Sequence, residues 1–220
     1  MINPINFDKY KTVIFDCDGV ILNSNKIKTD AFFQIAKSIG TSDNADQLVR
    51  YHKQNGGVSR NKKFSYFITK ILNIKFNQKM ADDLCNSYGD LVISELIECE
   101  INEHLAELKN ILNNSKWMVI SGGNQNELRY VFNHRDITYF FEKGIYGSPD
   151  SKEDIFAREI ERQNIIYPAI FIGDSEYDYL ASNKFDIDFL FISQWTEFKN
   201  WKEFCAKHFI NHIRNFDELT

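Results

Sequence analysis

Two aspartates lie one residue apart directly after a short apolar run. Asp16 and Asp18 follow residues 12–15 and precede Gly19, in the stretch TVIFDCDG. Side chains alternate between the two faces of a strand, so both carboxylates are expected on one side and Cys17 on the other. Two carboxylates that are held together either bind a cation or share a proton. The pair therefore predicts Mg²⁺ chemistry at the end of a strand.

Further short apolar runs recur along the chain, and small or acidic residues follow each of them. They lie at residues 117–120, 144–146, 169–172 and 189–192, and segments of helical periodicity lie between or beside them at 105–112, 126–133, 151–162 and 175–185. Alternating strands and helices predict an α/β fold, a Rossmann-like, doubly wound parallel sheet. Ligands of such sheets bind at the carboxyl ends of the strands.

Residues 24–101 interrupt this alternation, because they contain no convincing strand and their apolar residues recur with helical spacing. We call this segment the helical insertion. It predicts two domains, a catalytic core formed by residues 1–23 and 102–220 and a helical domain formed by residues 24–101. The C-terminal stretch, residues 195–220, is rich in aromatic and charged side chains and is predicted to form packing helices.

Polar residues of complementary type follow three of the other strands. Ser121 precedes two glycines, and we expect its hydroxyl and free backbone N–H groups to bind an anion at a helix start. Lys152 lies in the first turn of a helix, where the helix dipole disfavours a cation. Asp174 and Asp178 follow the strand at 169–172. A capping serine, a surface lysine and an N-cap aspartate would explain these residues singly, but the whole set predicts a site.

In this order and spacing, the motifs resemble those of phosphatases of the haloacid dehalogenase superfamily. The type with a helical (C1-type) cap after the first strand, as in phosphoglycolate phosphatase and β-phosphoglucomutase, fits the helical insertion. The four motifs are DCDGV at residues 16–20, VISGG at 119–123, GSPDSK at 147–152 and GDSEYD at 173–178. The resemblance covers essentially the whole chain.

The resemblance implies a role for each motif residue. Asp16 would attack phosphorus and form an aspartyl-phosphate, and Asp18 would be the general acid and base. Mg²⁺ would be bound by Asp16, the backbone carbonyl of Asp18, and Asp174, with Asp178 acting through water or by positioning other groups. The phosphoryl group would be bound by Ser121, Gly122 and Lys152.

A loop in the helical insertion is expected to close over the active site and contact the leaving group. We predict that this loop spans residues 52–63 and that its substrate-contacting residues are His52, Asn55, Gly56, Arg60 and Lys63. A solvated turn between two helices is the alternative. Lys28, which follows the first motif, is a further candidate for substrate contact.

The expected activity is that of a Mg²⁺-dependent phosphomonoesterase acting on a small sugar, polyol or amino-alcohol phosphate. A hexose-phosphate mutase of the β-phosphoglucomutase type is the alternative, because both reactions use the Asp16–Asp18 pair. Asp18 argues against a dehalogenase and a phosphonoacetaldehyde hydrolase, in which another residue takes this position. A catalytically silent binding protein is a third possibility, although all the motif residues are retained.

Composition limits the partners and the setting. The chain has 220 residues, 43% of them hydrophobic, and a formal net charge of −5. This acidic balance argues against broad nucleic-acid binding. No apolar stretch approaches the roughly 18–20 residues that span a bilayer, and the N-terminus lacks the layout of a secretory signal. Four cysteines without metal-binding spacing are expected to be reduced thiols. We expect a cytoplasmic monomer or weak homodimer whose partner is a small phosphate ester.

Overall fold

A parallel sheet of six strands forms the centre of the computed structural model, which describes residues 6–219. The strands are β1 (Thr12–Phe15), β2 (Lys116–Asn124), β3 (Ile145–Ser148), β4 (Ala169–Gly173), β5 (Asp188–Ile192) and β6 (Asn211–Ile213), in the spatial order β3-β2-β1-β4-β5-β6. The predicted α/β fold with a doubly wound parallel sheet is confirmed. The first five residues of the predicted core and Thr220 lie outside the described residues.

The register of the three central strands places the end of β1 next to the end of β4 and beside the middle of β2. Phe15, the last residue of β1, pairs with Val119 of β2 on one side and with Ile172 of β4 on the other. Motif residues that follow these strands must therefore meet at one edge of the sheet, which is where open α/β sheets bind ligands.

Helices cover both faces of the sheet. Outside the helical insertion they are α5 (Leu105–Ile111), α6 (Gln125–His134), α7 (Lys152–Glu161), α8 (Glu176–Asn183) and α9 (Trp201–His208). Phe15 packs in the same buried cluster as Phe132 of α6, whereas Ile14 packs with Phe156 of α7 and Ala181 of α8. Neighbouring residues of β1 thus belong to different clusters, as expected for a strand buried on both faces.

The helical insertion leaves the sheet after β1 and returns before β2. It contains α1 (Asn25–Ile39), α2 (Ser42–Gln54), α3 (Arg60–Tyr66), which continues as a π-helical turn, Phe67–Ile71, and α4 (Gln78–Glu98). The two connecting segments are hydrogen-bonded: Asn23 N donates to Glu100 O over 2.9 Å, and Asn102 N donates to Ile21 O over 2.8 Å. These bonds lie where we drew the boundaries of residues 24–101, and the division into two domains stays our prediction.

The C-terminal stretch differs from its prediction. Packing helices were expected for residues 195–220, but α9 is followed by β6, which pairs in parallel with β5 through Leu190–Asn211 and Ile192–Ile213. Three residues are too few to show a strand periodicity, so pairing with β5 rather than local pattern determines this strand. Within residues 6–219, none of the helices combines the length and apolar character needed to cross a membrane.

Candidate active site

The two aspartates of the first motif both line one cavity, while Cys17 between them is buried in the core. Asp16 directly follows β1 and is 2% exposed. Asp18 is held from two directions, since Ser24 Oγ donates to its Oδ1 over 2.6 Å and Lys28 Nζ lies 2.5 Å from its Oδ2. Burial alone raises the pKa of Asp18, but Lys28 and Ser24 outweigh it and lower that pKa.

Lys152 connects the first and fourth motifs. It is fully buried in the first turn of α7, its Nζ lies 3.1 Å from Asp16 Oδ1, and it also forms an ion pair with Asp178. Burial alone lowers the pKa of Lys152, but the two carboxylates outweigh it and raise that pKa. The unfavourable position of a cation in a first turn is therefore explained by this carboxylate pair.

Asp178 acts as a buried hydrogen-bond acceptor at the start of α8. Its Oδ2 accepts from Ser175 Oγ over 2.7 Å and from the backbone N–H groups of Ser175 and Asp174, while Oδ1 faces Lys152. Ser175, rather than Asp174, is the N-cap of α8. Asp174 is thus free of the capping role, and its Oδ2 accepts from Asn25 Nδ2 over 2.7 Å.

Asp16, Asp174 and Asp178 form a buried acidic cluster in which one carboxylate oxygen from each residue lies within 4.8 Å of the others. Burial raises the pKa of Asp16 to about 7, and the charges of Asp178 and Asp18 act in the same direction. Burial, followed by the charges of Asp178 and Asp16, raises the pKa of Asp174 well above its ordinary value. Such repulsion is relieved when a cation lies between the carboxylates.

The donor set of this cluster fits a hard divalent cation such as Mg²⁺, which prefers oxygen ligands. Asp16 Oδ1 receives no hydrogen bond from any described residue, although Lys152 Nζ is close, so it retains lone pairs for a ligand. The oxygens of Asp178 already accept four hydrogen bonds. Asp16 and Asp174 are therefore the residues best suited to bind the ion, and Asp178 is better suited to positioning them and Lys152.

The second motif differs from its prediction in one respect. We expected Ser121 at a helix start, but β2 continues to Asn124, and Asn124 is the N-cap of α6. The strand continues because Asn124 still pairs with Ser148 of β3 across an irregularity in the register. Ser121 is fully buried, and its Oγ accepts from Gly123 N over 3.1 Å. Ser121 therefore lies inside β2, three residues before the strand ends and α6 begins.

The cavity above the strand ends has a volume of about 780 Å³. It brings together most of the predicted site, namely Asp16, Asp18, Gly122 and Asp174 from the core and His52, Asn55, Gly56, Arg60 and Lys63 from the helical insertion, with Lys28. Ser121, Lys152 and Asp178 are buried next to this lining rather than part of it.

The loop that contains Gly56 and Gly57, between α2 and α3 of the helical insertion, packs directly on the core. A Cβ at Gly122 would overlap the carbonyl oxygen of Gly57, and a Cβ at Gly56 would lie 3.2 Å from Ser175 Cβ. Gly57 has a φ of +75°, a conformation that favours glycine. The close approach of the two backbones closes the cavity on this side.

The predicted substrate-contacting residues are not equivalent. The Arg60 guanidinium is bound by Glu127 of α6, with Nη2 2.6 Å from Oε1. Asn55 Nδ2 donates to Tyr51 O over 2.8 Å at the end of α2. Lys63 Nζ lies 2.7 Å from His52 Nδ1, and this pair forms part of the cavity wall.

Burial explains the electrostatics of the Lys63–His52 pair. Burial, followed by the charge of Lys28, lowers the pKa of Lys63 to about 7. Burial and the nearby Lys63 lower the pKa of His52 well below its ordinary value. The lowered pKa favours the neutral form of His52, whose ring nitrogen can accept a hydrogen bond from Lys63. An imidazole is neutral or cationic, so His52 cannot serve as a counter-ion for Lys63.

Sequence reasoning missed three residues that hold site residues in place. Ser24 donates a hydrogen bond to Asp18, Asn25 donates one to Asp174, and Glu127 accepts from Arg60. Ser24 and Asn25 lie at the start of α1, close in sequence to the first motif, and their polar types were a usable signal. Glu127 lies in an ordinary amphipathic helix, and nothing in its local sequence indicates a partner 67 residues away.

A family model describing haloacid dehalogenase-like hydrolases matches residues 10–186. The chain therefore belongs to this family, and the prediction of a hydrolase of the haloacid dehalogenase superfamily is confirmed. No curated protein sequence matches the chain significantly.

Several solved structures share the fold over nearly the whole chain. A predicted phosphatase from Clostridium acetobutylicum is 20% identical, covers 96% of both chains and has a TM-score of 0.73. A β-phosphoglucomutase from Clostridium difficile is 20% identical, covers 96% of this chain and 93% of its own, and has a TM-score of 0.71. A family IA hydrolase from Entamoeba histolytica is 15% identical, with coverage of 96% and 95% and a TM-score of 0.74. At these identities the likeness concerns the fold.

Proposed function

We propose that the protein is a Mg²⁺-dependent phosphomonoesterase that hydrolyses a small phosphate ester through an aspartyl-phosphate on Asp16. The observation that carries this proposal is that Asp16 and Asp18 line one cavity and have different partners. Asp16 lies beside Lys152 and the acidic cluster, whereas Asp18 is held by Ser24 and Lys28. The two carboxylates are thereby suited to two different roles.

Asp16 is the nucleophile of the proposed reaction. Its carboxylate attacks phosphorus, a new O–P bond forms, and the bond from phosphorus to the ester oxygen breaks. Asp18 takes up a proton when the negatively charged ester binds beside it, because a like charge disfavours its ionised form. It gives that proton to the leaving alkoxide and then takes a proton from the water that hydrolyses the aspartyl-phosphate. The partners of Asp18 hold its side chain on the cavity while leaving it outside the acidic cluster.

The negative charges of nucleophile and phosphate must be offset for this attack to occur. Lys152, Ser121 and the backbone N–H of Gly122 are proposed to bind the phosphoryl oxygens as charge moves onto them. Mg²⁺ bound by Asp16, Asp174 and the backbone carbonyl of Asp18, with Asp178 in support, would supply further positive charge that reduces the repulsion.

Residues 24–101 are proposed to act as a cap that selects the substrate and excludes water. The contact of Gly57 with Gly122 and the cavity volume of about 780 Å³, which lies in the range of small-molecule sites, support this role. A sugar, polyol or amino-alcohol phosphate fits such a space better than a macromolecule does, and we expect a cytoplasmic enzyme that is a monomer or weak homodimer. A hexose-phosphate mutase is the second candidate, favoured by a cavity that is lined by cationic side chains from both parts of the chain.

Phosphate release from a panel of sugar, polyol, amino-alcohol and nucleotide phosphates tests the proposal. We expect release that requires Mg²⁺, stops with a chelator and is lost in Asp16→Asn. Asp46→Asn, which removes an exposed carboxylate of α2, is the matched control and should retain activity. Absence of release from every ester by folded protein would overturn the phosphatase, and an isomerisation assay primed with a sugar bisphosphate would then test the mutase.

A further inference from the structure

Lys63 is a buried lysine without a counter-ion. It lies on α3, is 2% exposed, and lines the cavity that also contains Asp16. Its described polar partner is His52 Nδ1 at 2.7 Å, and no carboxylate within residues 6–219 lies within ion-pair distance of its amine. The ring of Phe32 lies on another side, with its centroid 5.4 Å from Nζ. Burying a charge in this way is unfavourable unless the charge is paired.

Three other cationic side chains of the cavity wall, unlike Lys63, are paired with carboxylates. Lys28 is paired with Asp18 at 2.5 Å, Lys53 with Glu197 at 2.7 Å, and Arg60 with Glu127 at 2.6 Å. Each of these three cations is thus neutralised by a carboxylate of the protein. Lys63, by contrast, is buried and has no carboxylate partner among the described residues.

His52 leaves part of the Lys63 ammonium unsatisfied. An ammonium group has three N–H donors and no acceptor, and a neutral imidazole nitrogen accepts one hydrogen bond. Two donors of a charged Lys63 therefore remain for a group in the cavity. A packing role alone would be met by an apolar side chain of similar length, without the cost of a buried amine.

We propose that the substrate carries a second anionic group, a carboxylate or a phosphate, that binds to Lys63 beside His52. This inference rests on the proposed function, in which the ester phosphate binds at Asp16, and it names the substrate class more narrowly. The substrate is then a phosphorylated acid or a bisphosphate rather than the phosphate of an uncharged sugar or polyol. The anion of the leaving group supplies the counter-ion that the protein lacks.

Binding of three phosphonates with one three-carbon skeleton tests this directly, because phosphonates are not hydrolysed. Propylphosphonate has one anionic end, 3-phosphonopropionate adds a carboxylate, and propane-1,3-bisphosphonate adds a second phosphonate. Isothermal titration calorimetry in the presence of Mg²⁺ should show that one of the two compounds with a second anionic group binds about 10- to 100-fold more tightly than propylphosphonate. This difference is the value of a charge-assisted hydrogen bond. The tighter of the two identifies the anion as a carboxylate or a phosphate.

Two lysine variants on the same helix separate the site from a general charge effect. Lys63→Met should remove most of the preference for the compound with a second anionic group. Lys62→Met makes the same charge change at an exposed neighbouring position and should retain the preference. Thermal unfolding of both variants establishes that they fold.

The outcomes for the inference and for the proposed function are distinguishable. Equal affinity for the three phosphonates, no binding of any of them, or an unchanged preference in folded Lys63→Met would overturn the second anionic site. A preference that depends on Lys63, together with no phosphate release from any ester, would support this site and contradict the phosphatase.

Discussion

The Arg60 guanidinium and the Glu127 carboxylate form a bidentate ion pair that joins the helical insertion to the core. Nη1 lies 3.0 Å from Oε2 and Nη2 lies 2.6 Å from Oε1. Arg60 begins α3 and also packs on the ring of Tyr88 in α4, with its guanidinium carbon 5.4 Å from the centroid. Two planar groups with parallel hydrogen bonds give a geometrically specific contact. This pair holds the helical insertion against α6.

The first prediction concerns this ion pair. In Glu127→Gln the Arg60 guanidinium loses its counter-ion, so we expect the closed arrangement to be less populated and kcat/KM to fall about tenfold. Hydrogen exchange of residues 55–59 should become faster. Glu98→Gln, at an exposed position of α4, is the control. Unchanged exchange and activity in Glu127→Gln would show that the pair does not maintain closure.

The second prediction concerns Gly89, in the middle of α4. Alanine normally stabilises a helix interior by about 1 kcal/mol relative to glycine. At Gly89, however, a Cβ would overlap the carboxylate of Glu127 and lie 3.2 Å from Arg60 Nη1. We therefore expect Gly89→Ala to destabilise the protein in urea unfolding. Removing the carboxylate with Glu127→Ala should make the same substitution less harmful or stabilising. A stabilising Gly89→Ala in the otherwise unchanged protein would argue against this close packing.

The third prediction is a pH dependence of stability caused by Lys63. Burial, followed by Lys28, lowers the pKa of Lys63 to about 7 from an ordinary value of 10.5. Between these values the unfolded chain binds more protons at this site than the folded protein, so a rising pH favours folding through Lys63. Below pH 7 both states are protonated and the full cost of the buried charge remains.

Lys63→Met removes this titration. Its free energy of unfolding, relative to that of the unsubstituted protein, should be most favourable near pH 7 and should decline as the pH rises toward 10.5. Urea unfolding without added anions measures the difference across this interval. Lys62→Met should show no such slope. A difference between Lys63→Met and the unsubstituted protein that is independent of pH would mean that Lys63 is not a buried, titrating amine.

The fourth prediction concerns Lys152, which is buried between Asp16 and Asp178. Lys152→Met leaves these carboxylates without their counter-ion, and breaking a buried ion pair from one side costs about 3–5 kcal/mol. We expect a loss of that order in urea unfolding and a loss of phosphate release. Lys207→Met, at an exposed position of α9, controls for charge. Stability and activity close to those of the control would contradict the assigned position of Lys152.

The strand ends of the core could be predicted from sequence because Asp16 and Ser121 directly follow apolar runs and one glycine separates Asp174 from another. Parallel pairing then brings Asp16 and Asp174 to one edge whatever the details of the loops. The continuation of β2 beyond Ser121 and the strand β6 could not be predicted, since both depend on pairing with a neighbouring strand. The partners of Arg60 and Lys63 could not be predicted either, because they depend on burial and on contacts between residues that are distant in sequence.

The central claim is that Asp16 carries the phosphoryl group during turnover. Rapid quenching of the enzyme with Mg²⁺ and its best ester, followed by borohydride reduction, converts an aspartyl-phosphate to homoserine, which peptide mass spectrometry locates. We expect homoserine in place of Asp16, formed only when both ester and Mg²⁺ are present. Sustained phosphate release with the modification at another residue, or at none, would contradict it.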